Sequence, residues 1–267
     1  MSAQKLQRTV KPKKALGQHF LKDVDIACRI AATLDRYKGM PILEIGPGMG
    51  MLTRPLLDAG HNLTVVELDH ESVDYLNMHF PELHGRILGE DFLRCDLSQL
   101  FPSQFCVIGN YPYNISSQIF FRVLDYKDNI PCCSGMIQKE VAERLASPPG
   151  SKAYGILSVL LQAWYDVEYL FTVSEHVFDP PPKVKSAVIR MTRNNVTSLG
   201  CDEVLFKQVV KTSFNQRRKT LRNSLRPLLG DRIAQLDGEV LNRRPEQLSV
   251  AEFIALTRQV DEVLAKK

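Results

Sequence analysis

An amide, a proline and an aromatic ring stand within four residues at Asn110, Pro112 and Tyr113, inside the stretch IGNYPYNISS (108–117). That set suits one kind of chemistry. The exocyclic amine of a nucleobase is a poor nucleophile, because its lone pair is delocalised into the ring. Two acceptors aimed at its two hydrogens favour a pyramidal nitrogen whose lone pair is free to attack. The Asn110 side-chain oxygen can be one acceptor and the Pro112 backbone carbonyl the other. The proline stiffens the loop that presents both. Tyr113 can stack on the flat base and hold its plane, a contact worth roughly 1–3 kcal/mol in single-strand binders. The competing explanation is a plain β-turn whose tyrosine belongs to the core.

A second cluster lies upstream. Gly46, Gly48 and Gly50 fall in LEIGPGMGMLT (43–53), directly after an apolar run. Glycines let the chain turn sharply and let a ligand approach the backbone. Alone they are weak evidence, since dinucleotide sites use a near relative of this pattern. The acids downstream sharpen it. Glu67, in VVELD, can accept from both hydroxyls of a ribose. Asp91, in GEDF, can accept from the exocyclic amine of an adenine, with the Phe92 ring beside it. The three together fit an adenosine-bearing ligand in a crevice at strand ends. The loop lacks the GxGxxG spacing of dinucleotide sites, and Glu44-Ile45-Gly46-Pro47-Gly48 suits S-adenosylmethionine better than NAD. A sulfonium methyl is already a strong electrophile, so alignment does most of the work. No metal and no covalent enzyme intermediate are required. The target base must leave its helix or loop to enter such a pocket.

The elements that hold these residues follow from periodicity. PILEIG (41–46), LTVVEL (63–68), RILGE (86–90), FCVIGN (105–110) and CCSGMIQ (132–138) read as strands, with further strands around 164–172 and 186–192. Between them, stretches such as DIACRIAATL (25–34) and SQIFFRVL (117–124) carry helical periodicity. Strand–helix alternation predicts parallel strands covered on both faces, a doubly wound α/β sheet. The prolines of VFDPPPKVKS (177–186) predict a stiff, extended link. After about residue 200 strand signals stop, and EVLFKQVVKTSFNQRRKTLRNSLRPLL and the stretch after Val250 read as helical. The expected domains are a basic segment over 1–22, a catalytic domain over 23–199 and a small all-helical domain over 200–267.

Charge divides along the same lines. The net charge of +4 conceals six basic groups and no acid in residues 1–22, a net of −10 over 23–182 and a net of +9 over 183–226. An acidic body edged by two basic segments points to a polyanionic partner. Lys207, Lys211, Arg218 and Arg222 form one stripe if their helix is continuous, and Arg217 adjoins it. A solvated stripe is the ordinary explanation of such a pattern. Lys5, Arg8, Lys11, Lys13 and Lys14 at the other end of the chain favour contact with an RNA backbone instead. The segment before Leu16 is expected to be mobile without RNA. No apolar run reaches the roughly 18–20 residues of a membrane span, and no signal or transit peptide is recognisable. The six scattered cysteines read as reduced thiols, with no spacing that suits a metal.

QHFL (18–21), LEIGPGMG (43–50), VELD (66–69), GEDF (89–92) and NYPYNIS (110–116) occur in an order that resembles the ribosomal RNA adenine N6,N6-dimethyltransferases. RLASPPGSKAYGILSVL (144–160), VFDPPPKVKSAVI (177–189) and FNQRRKTLRNSL (214–225) extend the resemblance over nearly the whole chain. The long basic C-terminal segment favours the small-subunit, KsgA type over the macrolide-resistance enzymes that act on large-subunit RNA. The resemblance implies a Rossmann-like class I methyltransferase fold with a helical C-terminal domain. It implies transfer of methyl groups from S-adenosylmethionine to N6 of two adjacent adenines near the 3′ end of 16S ribosomal RNA, within an immature small subunit. It further implies a cytoplasmic enzyme, expected to be a monomer. His19 and Leu21 would meet the methionine or adenosine part of the cofactor, Gly46 the methionine part, Glu67 the ribose and Asp91 the adenine amine. Asn110 would bridge cofactor and target amine, and Tyr113 would stack on the target base with Phe178 as a second face. Two positions depart from the family pattern. His19 stands where asparagine is usual, and histidine can also charge near neutral pH. Tyr111 stands where an aliphatic residue is usual. A protein glutamine methyltransferase would also fit an Asn-Pro-Tyr pocket but would not need the basic segments. An RNA-binding assembly factor with a vestigial site would not need Glu67, Asp91 and Asn110 together.

Overall fold

The computed structural model describes residues 10–236 and 238–266. The strands are β1 (Phe20–Leu21), β2 (Ile42–Ile45), β3 (Leu63–Val66), β4 (Ile87–Leu88), β5 (Cys106–Asn110), β6 (Cys132–Gln138), β7 (Tyr165–Val173), β8 (Phe178–Asp179) and β9 (Ser186–Arg193). Seven of them form one sheet in the order β4-β3-β2-β5-β6-β9-β7. Every residue of β2 is buried, as are the first four of β5, which is why these strands read as unbroken apolar runs rather than as alternating ones. The helices that cover this sheet include α1 (Val24–Ala31), α2 (Thr53–Asp58), α3 (His70–His79), α4 (Leu97–Leu100) and α5 (Ser116–Asp125). Asp23 caps α1 by accepting from the Ile26 N–H at 3.0 Å, and Asp69 caps α3 through the Glu71 N–H.

From β4 to β6 the strands are parallel, as the alternation predicts. The sheet is nevertheless mixed, because β9 enters beside β6 and runs antiparallel to it. The link between β7 and β9 carries no crossover helix that would return the chain in the parallel sense. That link also contains more than an extended connection: β8 pairs antiparallel with β1, with Leu21 opposite Phe178 and Phe20 opposite Asp179. Strand order reverses at β2, with β3 and β4 on one side and β5 and β6 on the other. A crevice therefore opens at the carboxyl ends of β2 and β5.

Two compact units emerge. The first takes in the described residues up to Ala142 and then Glu168–Thr192. The second takes in Glu143–Val167 and the chain from Arg193 onward. The helical unit thus begins with residues that the sequence reading placed in the catalytic domain. The reason lies in α7 (Ile156–Gln162), which follows α6 (Lys139–Ala146). Five of the seven α7 residues are buried, too many for one covered face. Its partners are α8 (Glu203–Asn215) and, after α9 (Leu221–Ser224) and α10 (Arg226–Leu229), α11 (Val250–Ala265). Phe214 and Phe253 stack at 5.9 Å where α8 meets α11. The long helix expected from 203 onward ends at Asn215, and Gln216 leaves helical geometry.

Candidate active site

The crevice is a cavity of about 460 Å³, within the range of small-molecule sites. The quoted motifs converge on it from five places in the chain. QHFL lies along β1, LEIGPG turns at the end of β2, VELD ends β3, GEDF follows β4 and NYPY ends β5. His19, Leu21, Gly46, Glu67, Asp91, Asn110, Pro112 and Tyr113 all line it. The glycine loop is tight because a ring blocks it from behind. A Cβ on Gly50, at φ +81°, would lie 2.2 Å from the Phe80 ring.

Asn110 is oriented by its neighbours. Its Nδ2 donates to the His19 backbone carbonyl at 3.1 Å. The side-chain oxygen is thereby left to accept from whatever fills the cavity. His19 is held in turn by its ring Nδ1, 2.7 Å from the Pro180 carbonyl. The Pro112 carbonyl accepts from the Ile115 N–H at 3.3 Å, which closes the turn and leaves it a second lone pair. The Tyr113 ring lies 5.4 Å from the His19 ring, tilted by 30°. Burial raises the Tyr113 phenol above its ordinary pKa, against a hydrogen bond to Ser186 that lowers it.

Glu67 has one oxygen accepting from the Gly48 N–H at 3.1 Å and the other from the Asp69 N–H at 2.9 Å. Burial still raises its pKa, with those two donors pulling the other way. The carboxylate therefore ties the glycine loop to the end of β3 and keeps lone pairs for a ribose. Asp91 accepts from the Leu93 N–H at 3.0 Å and presents its remaining capacity to the cavity.

Sequence reasoning missed several lining residues. Glu44 stands in the quoted loop yet received no role. It is 1% exposed, and Thr53 donates to it at 2.7 Å. Burial raises its pKa to about 8, against the Thr53 bond. Gln18, in QHFL, lines the cavity and donates to Asp69 at 3.2 Å. Leu68, in VELD, is a half-exposed apolar side chain at the rim, and Tyr75 reaches the cavity from α3. Only Tyr75 had no signal, because nothing in the α3 pattern distinguishes it from a core aromatic.

One predicted residue is absent from the cavity. Phe178 is 1% exposed and packs in the core with Leu21 and Val188. The pairing of β8 with β1 turns its ring inward, so it offers no face to a base here. Tyr111 is equally buried, and its hydroxyl donates to the Ser134 carbonyl at 2.6 Å. It packs edge-on to Phe120 at 5.9 Å, a pillar behind the loop.

The family model for ribosomal RNA adenine dimethylases matches residues 9–261. The chain belongs to that family. It is 76% identical over 250 residues to the ribosomal RNA small subunit methyltransferase A of Parabacteroides distasonis, covering 94% of each chain. It is 64% identical to the protein of that name from Bacteroides thetaiotaomicron, over 96% of this chain and 97% of the other. Among solved structures it shares its fold with a dimethyladenosine transferase from Plasmodium falciparum (TM-score 0.76, 21% identical, 92% of this chain and 98% of that one). It is also similar to the 23S rRNA methyltransferase ErmE (TM-score 0.64, 26% identical, 91% of this chain and 99% of that one). The chain is a methyltransferase of Rossmann-like fold.

In this adenine dimethylase the basic residues fare unevenly. Lys13 closes on the Asp69 carboxylate and lies 3.2 Å from Glu71. Burial pushes the Asp69 carboxyl up, but Lys13, Gln18 and Ser72 together bring it below its ordinary pKa. Among the described residues Val10 is buried and the Lys13 N–H donates to Gln18 at 2.8 Å, while the expectation of a mobile segment before Leu16 falls mostly on residues 1–9, outside the described residues. Lys11 is exposed, Lys14 opens a short 3-10 turn, and Lys5 and Arg8 lie outside the described residues. Arg217 is spent within the helical unit, where it donates to the Lys152 carbonyl at 2.5 Å and faces Glu246 at 4.0 Å. The break after Asn215 also ends the continuous stripe: Lys207 and Lys211 stay on α8, while Arg218 and Arg222 follow on a turn and on α9, both exposed.

Proposed function

We propose that this adenine dimethylase binds S-adenosylmethionine in the crevice and dimethylates N6 of two adjacent adenines near the 3′ end of 16S ribosomal RNA, in an immature small subunit. The observation that carries the reading is the placement of Asn110, which lines the crevice with its amide nitrogen donating to the His19 carbonyl, so that its oxygen is kept as an acceptor. The residues present fit the cofactor. Glu67 offers acceptor capacity for a ribose, Asp91 for an adenine amine, and Gly46 leaves the floor of the loop open beside Pro112, 3.7 Å from where a Cβ would stand. Leu21 on β1 and His19 just before it close the pocket, and Leu68 gives an apolar wall. When bound, S-adenosylmethionine supplies an activated methyl group.

The chain's own residues then act on the target. Asn110 and the Pro112 carbonyl accept from the amine and leave its lone pair free to attack, preorganised by the turn. Tyr113 holds the base plane. Lys11, Lys207, Lys211, Arg218 and Arg222 support contact with the RNA backbone. No described helix is long and apolar enough to cross a membrane, and ribosomal RNA as substrate supports a cytoplasmic location.

The test is methyl transfer from labelled S-adenosylmethionine to undermethylated small ribosomal subunits, followed by nucleoside analysis. Dimethyladenosine is expected with the unaltered protein, and Asn110→Ala is expected to lose at least about 100-fold in rate with cofactor still bound. Cofactor binding without transfer to RNA by the unaltered protein would overturn the reading and leave a protein amide or an assembly role.

A further inference from the structure

We infer that Ser186 is a positioning residue for methyl transfer, acting through the hydroxyl of Tyr113; the inference rests on the reading of Tyr113 as the ring that stacks on the target base. The two hydroxyls are hydrogen-bonded to each other, 73 residues apart in the chain. Ser186 is fully buried and begins β9. Its place is set on both sides. It pairs with Gln138 of β6, and the preceding Lys185 carbonyl accepts from the Lys139 N–H at 2.9 Å.

The geometry gives this bond a purpose beyond packing. β6 lies next to β5, and Met136 of β6 pairs with Asn110. Gln138 is two residues further along the same strand. The acceptor Asn110 and the anchor Ser186 are therefore referenced to one strand of one sheet. A ring that stacks on a base must keep its plane relative to the groups that hold the base's amine. Tyr113 sits on a loop, where the backbone alone restrains the ring poorly at its far end. Tying that far end to Ser186 sets the ring against the same frame as Asn110. The other contact of the ring is with His19, whose Nδ1 is tied to the Pro180 carbonyl. The segment 178–186 thus restrains the stacking ring directly through Ser186 and again through His19.

The experiment is a double-mutant cycle in methyl transfer to undermethylated small subunits, using Ser186→Ala, Tyr113→Phe and the pair together, with Tyr113→Ala beside them. Cofactor affinity and melting temperature are measured for each. Ser186→Ala and Tyr113→Phe should each lower kcat by about 3- to 10-fold, the effect of one hydrogen bond, while cofactor affinity stays within about twofold. The double variant should be no slower than either single one, because both remove the same bond. Tyr113→Ala should be slower still, because the stacking face is gone. Additive losses in the double variant, or unaltered rates in Ser186→Ala with Tyr113→Ala impaired, would overturn the positioning role alone. Full activity of Tyr113→Ala would overturn the stacking reading and the inference with it. Should Ser186→Ala fold poorly, Tyr113→Phe removes the bond from the loop side, and an unaltered rate there overturns the inference by itself.

Discussion

Glu44 is a carboxyl group with almost no water, one hydroxyl donor and the Glu67 carboxyl nearby. Thr53 donates to it, but burial dominates and lifts its pKa from 4.5 to about 8. The folded protein therefore binds a proton there that the unfolded chain releases. Stability from this group is fully present below pH 4.5 and is lost as pH rises through about 8. The slope from this one site approaches about 1.4 kcal/mol per pH unit within that window. Glu44→Gln keeps an acceptor for Thr53 and cannot ionise. Its melting temperature should match the unaltered protein at pH 5 and exceed it at pH 8, read by thermal unfolding across that range. Glu67, just past the end of the neighbouring strand β3, is also raised by burial, but its two backbone donors oppose the shift. Glu44 and Glu67 are thus set apart by what donates to them, not by their side-chain type.

At the scale of elements, the NYPY loop depends on what lies behind it. The Tyr111 ring lies over β5 and β6, and glycine on each strand, Gly109 and Gly135, makes room for it. A Cβ on Gly135, at φ +150°, would lie 2.3 Å from the Gly109 carbonyl and 2.7 Å from the Tyr111 ring. Gly135→Ala should destabilise the protein by about 3 kcal/mol or more, because backbone and ring must both move. Tyr111→Phe keeps the ring and removes the hydroxyl's bonds to the Ser134 carbonyl and the Cys133 thiol, for a cost of about 1–2 kcal/mol. Denaturant unfolding of the two variants orders them, and a Gly135→Ala cost below that of Tyr111→Phe would refute the account. A departure from the family's aliphatic pattern thus has a structural answer. The hydroxyl reaches a strand carbonyl that an aliphatic residue would leave alone.

At the scale of the whole molecule, charge is the property that matters. The chain's acids crowd one stretch of sequence and its bases two others, and only some of those bases are available to a partner. Lys13 is engaged with Asp69 and Glu71, and Arg217 with Lys152 and Glu246. Arg218 and Arg222 are exposed. Replacing both with glutamate should weaken binding to small-subunit RNA and reduce the slope of log affinity against log salt by about 0.7–0.9 per lost phosphate contact. Cofactor affinity, measured in the same buffers, should not change. Equal salt slopes for the variant and the unaltered protein would show that these arginines face water rather than RNA.

The sequence by itself marked the strands of the main sheet, the glycine loop, the acids Glu67 and Asp91, and the Asn-Pro-Tyr set. Each is a local pattern: an apolar run, a turn residue, or an acid directly after a strand, whose meaning survives without knowing its neighbours in space. The same locality explains the misses. Phe178 reads as a ring in a stiff loop, and only its pairing opposite Leu21 turns it into the core. Lys13 reads as one of a basic run, and only folding brings Asp69, 56 residues on, to its ammonium. A single basic stripe looked continuous until Gln216 left helical geometry. The helical unit gained Glu143–Val167 because α7 is apolar on too many sides, and the sequence does not say what covers it. Tertiary structure alone decided which carboxyl is dry, which cation is already paired and which serine meets Tyr113, because each depends on contacts between residues far apart in the chain.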